Sequence, residues 1–155
     1  MNIGPAGVDD IAEIAALEAE AFPLDPWSPN LLREAVGGLV PTMALLVARS
    51  SADGGAANFA GYAVVSVVDV DAELQRIAVP EERRRSGVAG ALLAATHAVA
   101  GERGATRLLL EVREDNIIAR TFYERHGFAE LGRRPRYYRD GTTALVLSTP
   151  VTMDP

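Results

Sequence analysis

Residues 79–93 have the sequence VPEERRRSGVAGALL, which passes from an apolar strand end through a basic turn into a Gly/Ala-rich segment. We predict a helix that begins at about Gly87, so that its first backbone N–H groups and the positive end of its dipole point at one spot. Such a spot binds phosphate. Gly87 has no Cβ, Ala89 has the smallest one, and the arginines at 83–85 add positive charge, so a pyrophosphate could approach the main chain closely. A solvated basic turn before an ordinary helix is the alternative.

The composition limits the classes of protein to which the chain can belong. It has 155 residues, 48% of them hydrophobic, so we expect one domain with a core of ordinary size. The absence of cysteine excludes disulfides, thiolate-bound metal and a cysteinyl-acyl intermediate. The net charge of −6 argues against a general nucleic-acid or anionic-membrane surface. Since the sequence has neither a leader-like start nor an apolar run of about 18 residues, we expect a cytoplasmic protein.

The first half of the chain predicts a strand, two helices and three further strands. Asn2 and Ile3 open the first strand, and residues 10–13 have the spacing of a capping box for a helix that runs to about residue 21. Ser28, followed by Pro29, caps a second helix that ends at about residue 36. Apolar runs predict strands over 43–49, 59–68 and 72–79, with a Gly-containing loop over 50–58 between the first two. In the last of these strands we expect one face to carry Leu74, Arg76 and Ala78.

The second half predicts alternating helices and strands. The helices are expected over 87–102 and 117–126, and the strands over 107–112, 128–133 and 142–147. The whole order predicts a single α/β (α+β) domain over 1–148, with a mixed, mostly antiparallel sheet of about seven strands and helices on both faces. Residues 149–155 are expected to form a loose C-terminal tail.

Two side chains in the second half are candidates for chemistry. Glu111 is a carboxylate in an otherwise apolar strand, near the end where ligands of open α/β sheets bind. Its alternative role is an ion pair with Arg113, two residues on, or with another arginine. Tyr123 lies twelve residues later in an aromatic helix end closed by Gly127, where a tyrosine also commonly serves as core packing.

Other kinds of site find no support in the sequence. His97 falls in the middle of a helix and His126 in a last turn, and neither has a partner at the spacing of metal ligands, so we expect no metal. The chain contains no GxxxxGK[ST] motif and no GxSxG motif. A P-loop nucleotide site and a hydrolase nucleophile elbow are therefore excluded.

Four motifs taken together resemble the GNAT superfamily of acetyl-CoA-dependent N-acetyltransferases. They are Ile77-Ala78-Val79, Arg84-x-x-Gly87-x-Ala89, Leu109 to Asn116, and Phe122-Tyr123-x-x-x-Gly127-Phe128. Within that superfamily the chain looks like the bacterial ribosomal-protein alanine N-acetyltransferases, the RimI-like family. The motifs that carry this closer resemblance are Pro26-Trp27-Ser28, Leu110-Glu111-Val112-Arg113 with Asn116, Tyr123, and Arg136-Tyr137-Tyr138.

The resemblance implies a reaction and a set of site residues. It implies acetyl-CoA as co-substrate without metal, and as acceptor the N-terminal α-amine, of Ala/Ser type, of a ribosomal protein. It assigns the general base to Glu111 and the general acid to Tyr123. The implied acetyl-CoA contacts are Ile77, Ala78, Val79, Arg84, Arg85, Ser86, Gly87, Val88, Ala89, Gly90 and Asn116. We expect no nucleic-acid or membrane partner, and a monomer.

An α-amine also suits the expected chemistry better than a lysine does. Its pKa is about 7.7 to 8.0, against about 10.4 for lysine, so deprotonation is easier by roughly 3 to 4 kcal/mol. Without cysteine, direct attack of the amine on the thioester is the simplest scheme. In that scheme Glu111 takes the proton through water, Tyr123 protonates the CoA thiolate, and the N–H of Val79 polarises the carbonyl.

The sequence leaves alternatives for the acceptor and for one acidic group. The acceptor could instead be a lysine side chain or a small-molecule amine. A non-catalytic CoA-binding protein is a further alternative, against which the presence of both Glu111 and Tyr123 argues. A cluster of carboxylates either attracts a cationic N-terminus or forms a solvated strand end; its members are Asp69, Asp71 and Glu73.

Overall fold

The computed structural model describes residues 1–51, 55 and 57–151 and contains strands and helices in the predicted order. The strands are β1 (Asn2–Pro5), β2 (Met43–Ser50), β3 (Asn58–Val68), β4 (Asp71–Ala78), β5 (Arg107–Arg113), β6 (Ala129–Arg134) and β7 (Ala144–Pro150). The helices are α1 (Ile11–Ala21), α2 (Pro29–Val36), α3 (Val88–Glu102) and α4 (Ile117–Arg125). Short 3-10 turns cover Val8–Asp10 and Glu81–Arg83. Among the described helices, none has both the length and the apolar composition that a bilayer span requires.

The strands form one mixed sheet in the order β1-β2-β3-β4-β5-β7-β6. All neighbouring pairs are antiparallel except β4 and β5, which confirms the predicted fold class. The parallel pair is short, because it joins only Asp71–Glu73 to Arg107–Leu109. Beyond these residues β4 pairs with β3 alone and β5 pairs with β7 alone. The two central strands therefore diverge and leave a gap in the middle of the sheet, bordered by unpaired backbone edges.

Helices cover both faces of the sheet, as the sequence predicted. The larger core lies beneath α3 and α4 and includes Leu92, Leu108 and Tyr123. The smaller core lies beneath α1 and α2 and includes Ile14 and Leu32. Each face is therefore closed by one pair of helices, and the gap between β4 and β5 connects the two sides.

A β-bulge in β4 overturns the predicted alternation of that strand. Val65 is opposite Leu74 and Val64 is opposite Arg76, so Gln75 is an extra residue. Leu74 consequently packs in the α3/α4 core, whereas Ala78 packs in the α1/α2 core. The prediction that Leu74, Arg76 and Ala78 share one face is wrong, because an extra residue reverses the in–out pattern of everything after it.

The predictions for the starts of α1 and α2 have different outcomes. Ser28 caps α2 as predicted, since its Oγ accepts a hydrogen bond from the N–H of Leu31 at 3.1 Å. The capping box predicted for α1 is absent, because no side-chain hydrogen bond caps that helix at Asp10. The Asp10 carboxylate instead accepts the N–H of Gly7 at 2.7 Å and pairs with Arg49. Asp10 therefore fastens the 3-10 turn to β2.

The C-terminal boundary lies later than the sequence predicted. Strand β7 continues through Thr149 to Pro150, and the buried Val151 donates its N–H to the carbonyl of Thr106 at 2.9 Å. The prediction of a loose tail from residue 149 is thus wrong over 149–151, because these residues complete the sheet and cover its core. Residues 152–155, and residues 52–54 and 56 of the predicted 50–58 loop, lie outside the described part of the chain.

Candidate active site

A cleft of about 310 Å³ opens at the start of α3. It brings together seven of the residues predicted to contact acetyl-CoA, together with three others. The predicted ones are Val79, Arg84, Arg85, Gly87, Val88, Ala89 and Gly90, and the others are Arg83, Phe122 and His126. The basic turn, the start of α3 and one side of α4 therefore form a single concave surface, which we call the basic cleft.

The start of α3 presents free donors to the basic cleft. Gly87 has a φ of 85°, a left-handed conformation that a residue without Cβ adopts at little cost. The first backbone hydrogen bond of the helix runs from the N–H of Ala91 to the carbonyl of Gly87 at 3.1 Å. The N–H groups of Val88, Ala89 and Gly90 precede that bond, so they have no acceptor within the helix. This arrangement is able to bind a phosphate anion.

The three arginines of the basic turn have different environments. Arg83 donates from Nη1 to the Oγ and carbonyl oxygen of Ser50, at 2.9 and 3.3 Å, and so ties the turn to the end of β2. Arg84 donates from Nε to the carbonyl of Val79 at 3.4 Å. Arg85 lines the cleft from a left-handed backbone position with a φ of 63°, and such strained positions often occur at ligand sites. Arg83 thus has a structural partner, while Arg84 and Arg85 are better placed to meet an anion.

Four of the predicted acetyl-CoA contacts lie outside the basic cleft. Ile77 packs against the α3/α4 core and Ala78 lies in the α1/α2 core. Ser86 donates its hydroxyl to the carbonyl of Arg83. Asn116 caps α4 by accepting the N–H of Ala119 at 3.2 Å. For these four residues a contact with the donor stays a prediction.

Glu111 lies on β5 beyond the end of its pairing with β4, and Tyr123 lies in the core on the opposite face of the sheet. Leu110 and Val112 point into the α3/α4 core, where Tyr123 also lies, so alternation along β5 puts Glu111 on the other face. The N–H of Val79, just after the end of β4, has no acceptor among the described residues. The carboxylate of Glu111 and the N–H of Val79 thus belong to the stretches where β4 and β5 have separated, and the phenol of Tyr123 is buried on the α3/α4 side.

Glu111 has an arginine partner, but not the nearest one in sequence. Its Oε1 lies 3.2 Å from Nε of Arg134 on β6, and its side chain is 24% exposed. Arg113 instead pairs with Asp115 and Asp140. Glu111 also borders a cavity of about 110 Å³ that is lined by Glu73, Leu109, Leu110, Glu111, Arg134 and Val146. The carboxylate is therefore accessible from the α1/α2 side of the sheet.

The surroundings shift the proton affinities of two neighbouring groups. Burial raises the pKa of Tyr123 to about 12, and its ring packs edge-on against Phe122 and Phe128. The phenol is therefore protonated at neutral pH and able to donate a proton. Partial burial, and then the charge of Glu111, raise the pKa of Glu73 above its usual value. Glu73 and Glu111 thus interact electrostatically across the cavity.

The acidic cluster singled out in the sequence separates into different environments. Glu73 borders the cavity beside Glu111. Asp71 pairs with Arg107, with its Oδ1 2.6 Å from Nε, and Asp69 occupies a left-handed turn position. Of the three carboxylates, the structure therefore brings only Glu73 to the candidate site.

A buried network positions the segment between α1 and α2 that contains the Pro-Trp-Ser motif. Glu18 is completely buried and accepts hydrogen bonds from Tyr62 Oη at 2.6 Å, Arg76 Nε at 3.0 Å and the N–H of Trp27 at 2.7 Å. The guanidinium of Arg76 also lies 4.2 Å from the ring centre of Phe22 and 4.7 Å from that of Trp27. This network fixes residues 22–28 against β4, next to the bulge.

The sequence interpretation missed several of these residues. Phe122 and His126 line the basic cleft, and their spacing of four residues on one helix was the available signal. Arg134 was covered only by the alternative that Glu111 pairs with another arginine. Glu18 gave no signal, because its partners Tyr62 and Arg76 are 44 and 58 residues away.

Known proteins share both the sequence pattern and this architecture. "N-alpha-acetyltransferase 30" of Schizosaccharomyces pombe is 43% identical over 68 residues, which is 44% of this chain and less than half (45%) of that protein. The "[Ribosomal protein bS18]-alanine N-acetyltransferase" of Escherichia coli is 37% identical over 99 residues, which is 62% of this chain and 67% of that protein. The crystal structure of the ribosomal-protein-S18-alanine N-acetyltransferase from Escherichia coli superimposes with a TM-score of 0.78 and 27% identity, covering 99% of this chain and 96% of that one.

The family assignment rests on most of the chain. The family model described as "Acetyltransferase (GNAT) family" matches residues 11–128, from the start of α1 to the residue before β6. The match includes the basic cleft, the gap between β4 and β5, and both Glu111 and Tyr123. The chain therefore belongs to the acetyltransferase (GNAT) family.

Proposed function

We propose that this protein transfers the acetyl group of acetyl-CoA to the N-terminal α-amine of a protein by direct attack in a ternary complex. One observation carries the proposal: a carboxylate lies where two strands of the sheet separate, a buried phenol lies on the opposite face, and a basic cleft begins at the end of β4. This arrangement suits a reaction in which the donor and the acceptor approach from different sides and meet within the sheet.

The donor side of the reaction is supported by the basic cleft. The free N–H groups of Val88, Ala89 and Gly90, with Arg84 and Arg85, suit the pyrophosphate of CoA. The cleft begins at Val79, at the end of β4, so a thioester attached to that pyrophosphate would extend along the unpaired edge of the strand. The donor supplies an activated acetyl carbonyl, and the N–H of Val79 would stabilise the negative charge that develops on its oxygen.

The proton transfers follow from the positions of Glu111 and Tyr123. The acceptor enters from the α1/α2 side and loses its proton to Glu111, directly or through one water in the cavity. The amine nitrogen then forms a bond to the acetyl carbon, and the carbon–sulfur bond breaks. Tyr123, protonated at neutral pH, donates its phenolic proton to the departing sulfur from the other face.

The choice of an N-terminal acceptor rests on chemistry and on the relatives. An α-amine releases its proton more easily than lysine does by roughly 3 to 4 kcal/mol, which suits a single carboxylate base. The names of the two relatives described above, an N-alpha-acetyltransferase and a ribosomal-protein alanine N-acetyltransferase, support the same acceptor. A ribosomal protein with an N-terminal Ala or Ser, in the cytoplasm, is the acceptor that we propose.

A peptide with two kinds of amine tests this function. The protein is incubated with acetyl-CoA and a peptide that begins with a free Ala and carries one internal Lys, and mass spectrometry locates the added acetyl group. The matched control is the same peptide with a blocked N-terminus. We expect acetyl on the α-amine and no product from the blocked peptide. Acetyl on Lys in both peptides, or transfer only to small-molecule amines, would contradict the proposed acceptor.

A further inference from the structure

We propose that His126 is an additional binding residue for the diphosphate of the donor, and that it binds most tightly when its imidazole carries both protons. This inference rests on the proposed function, because it assumes that the donor diphosphate occupies the basic cleft. It goes further by predicting that donor binding depends on pH through one side chain.

A hydrogen bond fixes the orientation of the His126 ring. Its Nδ1 lies 2.8 Å from the carbonyl oxygen of Phe122, one turn earlier in the chain. A carbonyl oxygen only accepts hydrogen bonds, so Nδ1 carries a proton. Nε2 is therefore the nitrogen that is protonated in one form of the ring and unprotonated in the other. Nε2 lies next to the first turn of α3. The position that a Cβ on Gly90 would occupy is 3.4 Å from Nε2. The nitrogen whose protonation changes therefore lies beside Gly90, in the first turn of α3.

The position of Nε2 determines what the two forms of the ring can do. In the neutral ring Nε2 is a lone-pair acceptor, which repels an oxyanion. In the protonated ring Nε2 is a charged donor beside Gly90, and both residues line the same cleft. A phosphate oxygen bound there would therefore favour the protonated ring, and the protonated ring would favour the phosphate oxygen.

Other groups around the ring do not account for such a pH dependence. The neighbouring cations of the basic turn, Arg83, Arg84 and Arg85, stay charged at all relevant pH values. On α3 the titratable neighbour is His97, whose pKa is lowered by burial and then by the charge of His126. On α4 itself the neighbours in sequence are Glu124 and Arg125. His97 lies outside the lining of the cleft, so it provides a control histidine.

The ligand for the test is 3′-dephospho-CoA. The 3′-phosphate of CoA itself titrates near pH 6, as phosphate monoesters do, and would obscure the effect, whereas the diphosphate diester keeps a constant charge. Calorimetry measures the dissociation constant at pH 5.5, 6.5 and 8.0 for the unmodified protein, His126→Asn and His97→Asn. The asparagine amide can still donate toward Phe122 but cannot take up a proton.

We expect the unmodified protein to bind about three- to tenfold more tightly at pH 5.5 than at pH 8.0, since a shift of one pKa unit corresponds to a factor of ten in affinity. His97→Asn should keep this ratio, and His126→Asn should bring it close to one. A second measurement needs no variant: the binding enthalpy in buffers of different ionisation heat should show proton uptake at pH 6.5.

Each result decides between the two proposals. A flat profile for the unmodified protein, absence of proton uptake, or an unchanged ratio in His126→Asn would overturn the role of His126 and leave the proposed function standing. Failure of the unmodified protein to bind 3′-dephospho-CoA and CoA at any pH would overturn both proposals. If His126→Asn is unfolded by circular dichroism, the proton uptake of the unmodified protein decides the matter alone.

Discussion

Two carboxylates of this protein, Glu18 and Glu111, each pair with an arginine Nε, at 3.0 and 3.2 Å, but they differ in everything else. Glu18 has no exposed surface and accepts three hydrogen bonds, and its partner Arg76 is largely buried between two aromatic rings. Glu111 is partly exposed, its partner Arg134 is more than half exposed, and a cavity lies beside it. A fully satisfied buried carboxylate holds the structure, whereas an accessible one at a gap in the sheet can exchange a proton.

The largest expected effect is the loss of turnover in Glu111→Gln. The amide has nearly the same size as the carboxylate but cannot accept the proton of the amine, so kcat/KM should fall about 10³-fold, within the range for a lost general base. Stability should change little, because Arg134 is more than half exposed and stays solvated when its partner loses the charge. Kinetics with the Ala peptide and thermal unfolding measure both quantities, and Glu102→Gln, at the exposed end of α3, is the control.

The second effect, of about 3 kcal/mol, is the loss of stability in Glu18→Gln. The substitution leaves the buried guanidinium of Arg76 without a charged partner, and breaking one side of a buried pair costs about 3 to 5 kcal/mol. Urea unfolding measures it, with the exposed Glu13→Gln on the same helix as the control. Turnover of the folded fraction should stay within a few fold. Equal stability of Glu18→Gln and Glu13→Gln would refute the structural role.

A smaller effect is expected on the other face of the sheet, from Tyr123→Phe. Loss of the proton donor should lower kcat about 10- to 100-fold, which is below or at the low end of the general-acid range because a thiolate is a good leaving group. Because the pKa of Tyr123 is raised to about 12, the phenol stays protonated between pH 6 and 9. The dependence of kcat on pH should therefore have the same shape in the variant, with a lower kcat at every pH. An unchanged kcat across this range would show that Tyr123 only packs.

The smallest effect concerns Glu73→Gln and depends on pH. The pKa of Glu73 is raised in the folded state, so the folded protein holds this proton more tightly than the unfolded chain, and stability falls as pH rises above the unfolded value of about 4.3. Removing the charge should therefore raise the melting temperature slightly at pH 7 and leave it unchanged at pH 3.5. A lower melting temperature at pH 7 would show that Glu73 has a favourable partner that outweighs Glu111.

Local signals were sufficient for most of the fold. The Ser28–Pro29 start of α2 and the left-handed glycine before α3 are determined by neighbouring residues, and the structure contains both. Glu111 was identifiable because a carboxylate interrupts an apolar strand. Three other features were not identifiable from the sequence: the bulge at Gln75, the contacts of Asp10 with Gly7 and Arg49, and the inclusion of Val151 in the core. Each depends on a partner strand or turn that no short stretch of sequence specifies.

The candidate site was also predictable where a short stretch of sequence determines it, and not where it depends on strand pairing. The Arg/Gly turn marks the phosphate end of the site by its own composition. The rest of the site depends on strand register. A parallel pairing that stops at Glu73 and Leu109 opens the gap. Alternation along β5 then puts Glu111 on the face opposite the core that contains Tyr123. Pairing of Glu111 with Arg134 rather than Arg113 follows from the strand order, in which β7 lies between β5 and β6. Only the assembled sheet reveals these relationships.

The central claim is that the proton of the acceptor amine passes to Glu111, and the single-turnover rate as a function of pH tests it most directly. Saturating enzyme and acetyl-CoA are mixed with the Ala peptide between pH 6 and 9, for the unmodified protein and Glu111→Gln. The account predicts a plateau for the unmodified protein, and for the variant a far lower rate that rises about tenfold per pH unit until the amine itself is deprotonated. A variant within threefold of the unmodified protein, with the same plateau, would contradict it.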